Sequence, residues 1–227
     1  MLSVLLAASS SININVNGLK SPSTSVVIIV VLTVLAIAPS ILVLMTAFPR
    51  VFITLALTRN ALGTQTVPPN QILAGLSLIL SIYIMAPVIG TIDHVAIQPY
   101  YSGKINATQA IQKGEVPLKT WMLKQTKTQE LDMFASYAHE NVKAPTELPM
   151  TTVIPAFVLS EIQNAFLMGF MIFIPFMVID LAVSAIMMSM GMYMLPPTLI
   201  ALPFKILLFV LVDGWTLVVH SLLISFH

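Results

Sequence analysis

Four charged residues interrupt the otherwise apolar last third of this 227-residue sequence: Glu161, Asp180, Lys205 and Asp213. A charged side chain inside a membrane is costly, so each needs an opposite charge, a wet cavity or a subunit interface to stabilise it. Lys205 is the only basic residue after Lys143. These residue types therefore indicate ion pairing, with too few cations in the same region to match the acids.

The spacing of these charges about Pro196 and Pro197 predicts where they lie in a helical hairpin. A hairpin folded between the two prolines puts Asp180 and Asp213 at the same depth, where carboxylates repel each other unless cations meet them. Lys205 would then lie about 12 Å along the axis from both acids, at ~1.5 Å per residue. Because direct contact within one hairpin is not expected, we interpret the charges as inter-subunit partners or as groups in a wet cavity. A static buried ion pair is the alternative.

A methionine cluster directly precedes the two prolines, with five methionines in residues 187–194. Methionine is unbranched and flexible, so several copies around an axis could close a hole by excluding water and still conform to an irregular passenger. The simpler interpretation is ordinary filling of a membrane helix. The position at a helix end favours the gate, which we assign to Met192, Tyr193 and Met194.

Composition indicates an integral membrane protein. The sequence is 57% apolar and only 8% charged, with a mean hydropathy of +0.94, which is far more apolar than an ordinary soluble domain. A net charge of +1 argues against nucleic acid as a partner, and the absence of cysteine excludes disulfides and thiolate sites. No ATP-binding loop or zinc-binding histidine pair occurs. We therefore predict no enzymatic activity, no cofactor and no metal site.

Apolar runs around one polar segment predict an all-α fold of membrane-type helical hairpins. Residues 26–92 predict the first hairpin, because 26–48 and 72–92 carry no charge and are long enough to cross a hydrocarbon core of ~30 Å. A polar connection from Arg50 to Gln71 would join these two spans. Residues 1–25 are read as a signal segment or an N-terminal extension.

The rest of the chain divides into a polar and an apolar part. Residues 93–152 predict a polar helical segment, since eleven of the 19 charged residues fall between Lys104 and Glu147. Residues 153–227 predict a C-terminal hairpin with a Met-rich turn. Arg50 and Arg59 are the only charges in the first connection, which places it in the cytoplasm by the positive-inside tendency and the polar segment outside.

Three groups of motif residues carry a family resemblance. They are Arg59-Asn60-Ala61-Leu62-Gly63-Thr64-Gln65 followed by Pro68-Pro69-Asn70-Gln71; Pro155-Ala156-Phe157 with Ser160-Glu161; and Leu202-Pro203-Phe204-Lys205 running to Val212-Asp213-Gly214-Trp215. In this order they resemble the FliP family of flagellar export-gate proteins, over about residues 26–226. The resemblance implies an all-helical subunit of the flagellar type III protein export channel.

The resemblance also implies partners and a location. Family members form a ring of five with FliQ-like and FliR-like subunits in the flagellar basal body, at the bacterial inner membrane, and unfolded flagellar proteins pass through it. The helices of such an assembly need not span lipid conventionally.

Small residues four apart, Ala165/Gly169 and Ala185/Ser189, permit close helix approach and are weak evidence of oligomerisation.

Three positions depart from the pattern that the resemblance implies. The family's methionine gasket falls on Met192, Tyr193 and Met194, where relatives often have three methionines. Gln163 stands where many relatives carry a lysine, so any ion pair made by that lysine must be lost or replaced. Pro49 stands where many have threonine.

Other functions remain open at the level of sequence. The homologous virulence-secretion, or injectisome, gate subunit shares much of the pattern. An ion or small-molecule transporter would use Asp180, Lys205 and Asp213, but it should show related repeats in its two halves, and none is visible. A purely structural assembly scaffold would not leak when the gate residues are removed.

Overall fold

A computed structural model of the protein describes residues 43–140, 144–192 and 194–226, and before them the single positions 28, 29, 32, 33, 36 and 40. The chain divides into two compact units, Met1–Ser40 and Ile41–His227. The described positions of the first unit are helical. The predicted signal segment, about half of the first predicted span and Tyr193 lie outside the described residues.

Helices alone form the regular structure of the described residues, which confirms the all-α prediction. The helices of the second unit are α1 Phe48–Ala61, α2 Asn70–Ile92, α3 Gln98–Tyr101, α4 Ala107–Gln125, α5 Thr128–Tyr137, α6 Met150–Ser189, α7 Pro197–Leu211 and α8 Gly214–Ile224. A π-helical turn, Asp93–Ile97, joins α2 to α3, and a 3-10 turn, Pro145–Glu147, precedes α6.

Helix α1 fills the first half of the stretch for which the sequence predicts a polar connection. Pro49 stands in its first turn, where a missing N–H costs nothing, so the proline begins this helix. No glycine or proline occurs between Val51 and Thr58, and the helix ends just before Gly63, whose φ is +80°. The prediction that the connection begins at Arg50 is therefore wrong, and the loop comprises residues 62–69.

Helices α1 and α6 approach each other closely at a glycine. A Cβ placed on Gly169 would lie 2.3 Å from Cδ1 of Leu57, so only glycine fits at this crossing without a shift. Ala165, one turn earlier, is completely buried. The small-residue pair Ala165/Gly169, which the sequence pattern relates to oligomerisation, therefore serves helix packing within one chain.

Two apolar clusters hold the helices together. The first joins α1, α2, α6, α7 and α8 through buried residues that include Leu55, Leu73, Phe176, Phe209 and Leu222. The second packs α4 and α5 onto the first turns of α6 through Met122, Leu131, Val153 and Phe157. Trp121 packs against both clusters. The polar helices are thus fixed to the apolar ones.

Two helical stretches of the described residues are long and apolar enough to cross a membrane, Asn70–Tyr101 and Met150–Ser189. Helices α7 and α8, bent by 63° at their junction, make a third if they count as one broken span. At ~1.5 Å per residue α6 is about 60 Å long, roughly twice the hydrocarbon thickness. Because its first turns pack against the polar helices, we assign them to the end of α6 that extends beyond the apolar layer.

Candidate functional site

The turn between α6 and α7 comprises residues 190–196, and we call it the Met turn. Gly191 has a φ of +73°, a left-handed conformation that glycine adopts without strain. The backbone N–H of Met192 donates to the carbonyl of Met187 at 3.0 Å, and that of Gly191 donates to Met188 at 3.1 Å. This pair of bonds is a Schellman motif, which ends α6 well before the double proline.

The methionines of this region differ in exposure. Met187 is 5% exposed and lines an apolar cavity of about 490 Å³ between α6 and α7, together with Met190, Met192 and Phe204. Met192 is 39% exposed and Met194 is 97% exposed. Met194 is therefore not core filling within this chain, and its side chain is free for contacts with another molecule.

Lys205 and Asp180 form an ion pair within the chain. The Nζ atom of Lys205 lies 2.6 Å from Oδ2 of Asp180 and also donates to the carbonyl of Ala61, at the end of α1, at 3.4 Å. Lys205 is only 5% exposed. The expectation that this lysine finds no acid in its own hairpin is wrong.

The reason lies in where the hairpin turns. The sequence predicts that the hairpin turns between Pro196 and Pro197, whereas the Schellman motif ends α6 at Ser189. Asp180 is nine positions before that end, and Lys205 is eight positions after the start of α7. The two side chains therefore reach nearly the same depth, and the glycine at 191 is the sequence signal that could have corrected the register.

A cavity of about 480 Å³, with both polar and apolar residues in its wall, adjoins this ion pair. Its wall includes Thr64 and Gln65 from the loop 62–69, Thr198 from α7, and both members of the pair. Oδ1 of Asp180 is buried and has no hydrogen-bond partner among the described residues. The pair consequently borders a cavity that is large enough to hold water and has polar groups in its wall.

Glu161 is completely buried and pairs with Arg50 of α1. Nε of Arg50 donates to Oε2 of Glu161 at 3.0 Å, while Nη2 donates to Oε1. A guanidinium matches a carboxylate in this two-point arrangement, which is stronger and more directional than a single contact. The need of Glu161 for a partner is thus met inside its own chain.

The same arginine also holds the chain end. Nη1 of Arg50 donates to the backbone carbonyl of Ser225 at 2.8 Å and to its Oγ at 3.1 Å, and Nη2 donates to Oε1 of Gln125 at 3.2 Å. Cζ lies 3.9 Å from the ring centroid of Phe226. All five guanidinium N–H groups can therefore be used, and one side chain joins α1, α4, α6 and the residues after α8.

Sequence reasoning missed this role of Arg50 because it counted the residue as a loop charge. The available signal was Glu161, an acid in an apolar stretch that needs a cation nearby. Arginine suits buried pairs, and Arg50 and Arg59 are the only arginines in the chain. With Arg50 buried, only Arg59, in the last turn of α1, remains as a charge beside the loop 62–69 for the predicted orientation of the chain.

Gln163, one of the positions that depart from the pattern of the resemblance, bridges two charges. Its Nε2 donates to Oε1 of Glu130 at 2.7 Å, and its Oε1 accepts from Nζ of Lys127 at 2.9 Å. Glu130 is only 9% exposed. The amide thus satisfies both an acid and a base of the polar segment and forms a neutral link between α5 and α6.

Asp213 differs from the other three charges. It is exposed and precedes α8 with a φ of +50°, at the bend between α7 and α8. Its carboxylate forms no hydrogen bond or ion pair with the part of the chain that the structure describes. The hypothesis of a partner on another subunit now concerns this residue alone.

Comparisons with known proteins agree with the motifs. The model of the FliP family matches residues 31–222. A protein of Bacillus subtilis (strain 168) named flagellar biosynthetic protein FliP is 51% identical over 195 residues, which are 86% of this chain and 88% of that protein. A protein of the same name from Aquifex aeolicus (strain VF5) is 46% identical over 86% of this chain and 83% of its own length. The one from Buchnera aphidicola subsp. Acyrthosiphon pisum (strain APS) is 47% identical over 86% of this chain, which spans about half, 52%, of that longer protein.

Proposed function

Because this chain belongs to the FliP family, we propose that it is a channel-forming subunit of the flagellar type III export gate. Relatives that carry the name flagellar biosynthetic protein favour the flagellar gate over the virulence-secretion gate and over a small-molecule transporter. Its task is to let unfolded flagellar proteins pass and to hold back other solutes. This task needs no catalysis and no cofactor.

Several copies of the chain form the channel together, as a ring of five with FliQ-like and FliR-like subunits. Support comes from the large apolar surface that α6 and α7 leave exposed in one copy, because such a surface is covered by lipid or by other subunits in a membrane assembly. Residues of this surface that are more than half exposed include Phe170, Met171, Leu181, Phe204, Val210 and Leu211.

The Met turn closes the channel, and Met192, Tyr193 and Met194 are its gate residues. The observation that carries this assignment is the 97% exposure of Met194 at a turn whose two ends are fixed by a Schellman motif and by a double proline. Flexible apolar side chains repeated around a ring make a barrier without water and yield to a passing polypeptide.

The subunit works in the bacterial inner membrane, inside the flagellar basal body. The apolar helices support a membrane location, and Arg59 in the last turn of α1, next to the loop 62–69, favours the cytoplasm for that loop. Residues 93–152 then face away from the cytoplasm, where α4 and α5 serve contacts with neighbouring subunits.

Two measurements on one strain test this function. Deletion of the chain's own gene should stop the release of flagellar proteins into the medium, and a plasmid copy should restore it. Native mass spectrometry of the complex purified with its partners should give five copies of this chain. A monodisperse monomer that persists after co-expression of the partner subunits would contradict the ring.

A further inference from the structure

We propose that Asp180 and Lys205 form a hydrated, breakable strut that holds the Met turn in its closed position. Asp180 and Lys205 are then positioning residues of the gate. Only the assignment of the Met turn as a gate rests on the proposed function. The pair joins α6 and α7, the two helices that carry the Met turn.

The pair fixes the Met turn from a short distance. Asp180 lies about 13 Å from the end of α6 and Lys205 about 12 Å from the start of α7, at ~1.5 Å per residue. Any sliding of α7 along α6 would separate Nζ from Oδ2, which are 2.6 Å apart. Nζ also contacts the carbonyl of Ala61, so α7 is tied to the end of α1 as well.

The surroundings of this pair allow it to break and reform. The side chain of Asp180 is 32% exposed, and its Oδ1 has no hydrogen-bond partner among the described residues. Both members of the pair line the cavity of about 480 Å³. Water that enters such a cavity can solvate the separated charges, and a partly exposed pair contributes far less to stability than a dry one.

A second ion pair among the described residues, Arg50 with Glu161, has the opposite character. Glu161 is fully buried, both of its oxygens bind Arg50, and that arginine holds two more elements. Breaking this pair would leave a charge in apolar surroundings, which is strongly unfavourable. The described residues thus contain a permanent ion pair, Arg50 with Glu161, and a breakable one, Asp180 with Lys205. The breakable pair is the one next to the Met turn.

A distance measurement tests the positioning directly and does not depend on channel activity. The chain has no cysteine, so spin labels can be attached to Ser189→Cys and Leu199→Cys, at exposed sites on the two sides of the turn. In the assembled complex the parent should give one narrow distance distribution within each subunit. Diluting labelled with unlabelled copies removes distances between subunits.

The pair variants should change that distribution. Lys205→Met and the milder Asp180→Asn should broaden and shift it, and the exchanged pair Asp180→Lys with Lys205→Asp should restore most of the parent distribution. Ile79→Ala, on the exposed face of α2, is the control and should change nothing. Distributions identical to the parent in an assembled Asp180→Asn complex would overturn the strut.

Hydration and gating have separate tests. Thr198→Cys, in the wall of the cavity, should react with a small water-soluble thiol reagent in the assembled complex, and complete protection would overturn the hydrated part of the proposal. Lys205→Met should also raise ion conductance. If shortening Met192 and Met194 raises conductance and the pair variants do not, the strut is wrong and the gate stands. If the pair variants shift the distance while no variant leaks, the positioning stands and the gate assignment fails.

Discussion

Nε of Arg50 lies 3.0 Å from Oε2 of Glu161, although 111 positions of the sequence separate the two residues. This contact fixes the beginning of α1 to α6, and through Ser225 it also fixes the end of the chain. An acid in an apolar helix is therefore a structural anchor here. The movable parts of the proposed gate are built on this anchor.

Replacing Arg50 with methionine should destabilise the protein strongly. The change leaves Glu161 buried without a cation, and breaking a buried pair in this way costs about 3–5 kcal/mol. Thermal unfolding of the detergent-purified protein measures the loss. Arg59→Met is the matched control, because Arg59 is half-buried and its Nη1 bonds only Pro68 and Asn70. Equal losses for the two arginines would mean that the pair has no special weight.

Replacing Gly169 with alanine should separate α1 from α6. The added Cβ would overlap the side chain of Leu57, and overpacking of this kind costs about 1–3 kcal/mol. Gly75→Ala is the control in α2, where the new methyl group meets nothing within 4 Å and alanine is the better helix former. Unfolding curves should show a loss for the first and no loss for the second. A harmless Gly169→Ala would show that the helices have room to spare.

Single cysteines should report the orientation of the chain, since the parent has none. Lys113→Cys, on an exposed turn of α4, should react with an impermeant thiol reagent added outside the cytoplasm, before the complex is assembled. Gln65→Cys, in the exposed loop 62–69, should react only when the cytoplasmic side is open to the reagent. The opposite pattern at both positions would reverse the proposed topology.

Hydropathy and motif order were sufficient to predict the helical class, the family and the second apolar span, because these depend on patterns that are local in the sequence. Long-range partners were not predictable in this way. Arg50 looked like a loop charge because α1 was not recognised, and Ala165/Gly169 looked like an oligomer contact because Leu57 was not known to face them. A pattern of small residues predicts close packing but does not name the neighbour.

The register of the hairpin shows how one local feature decides a distant contact. Pro196 and Pro197 are strong helix breakers, yet Gly191 ends α6 earlier through its left-handed conformation. The resulting turn of seven residues moves the centre of the hairpin toward the N-terminus, and Lys205 then reaches Asp180. Asp213 is left exposed by the same shift, which is why its partner is sought outside the chain.

Ion conductance of the assembled complex shows whether the flexible apolar side chains of the Met turn keep the channel shut. The complex containing Met192→Ala with Met194→Ala should assemble as the parent does and should pass ions when reconstituted in a planar lipid bilayer. The Ile79→Ala complex, altered on the exposed face of α2, should stay closed. An assembled double-alanine complex with the conductance of the parent would contradict the account and would leave the methionines without a role in the gate.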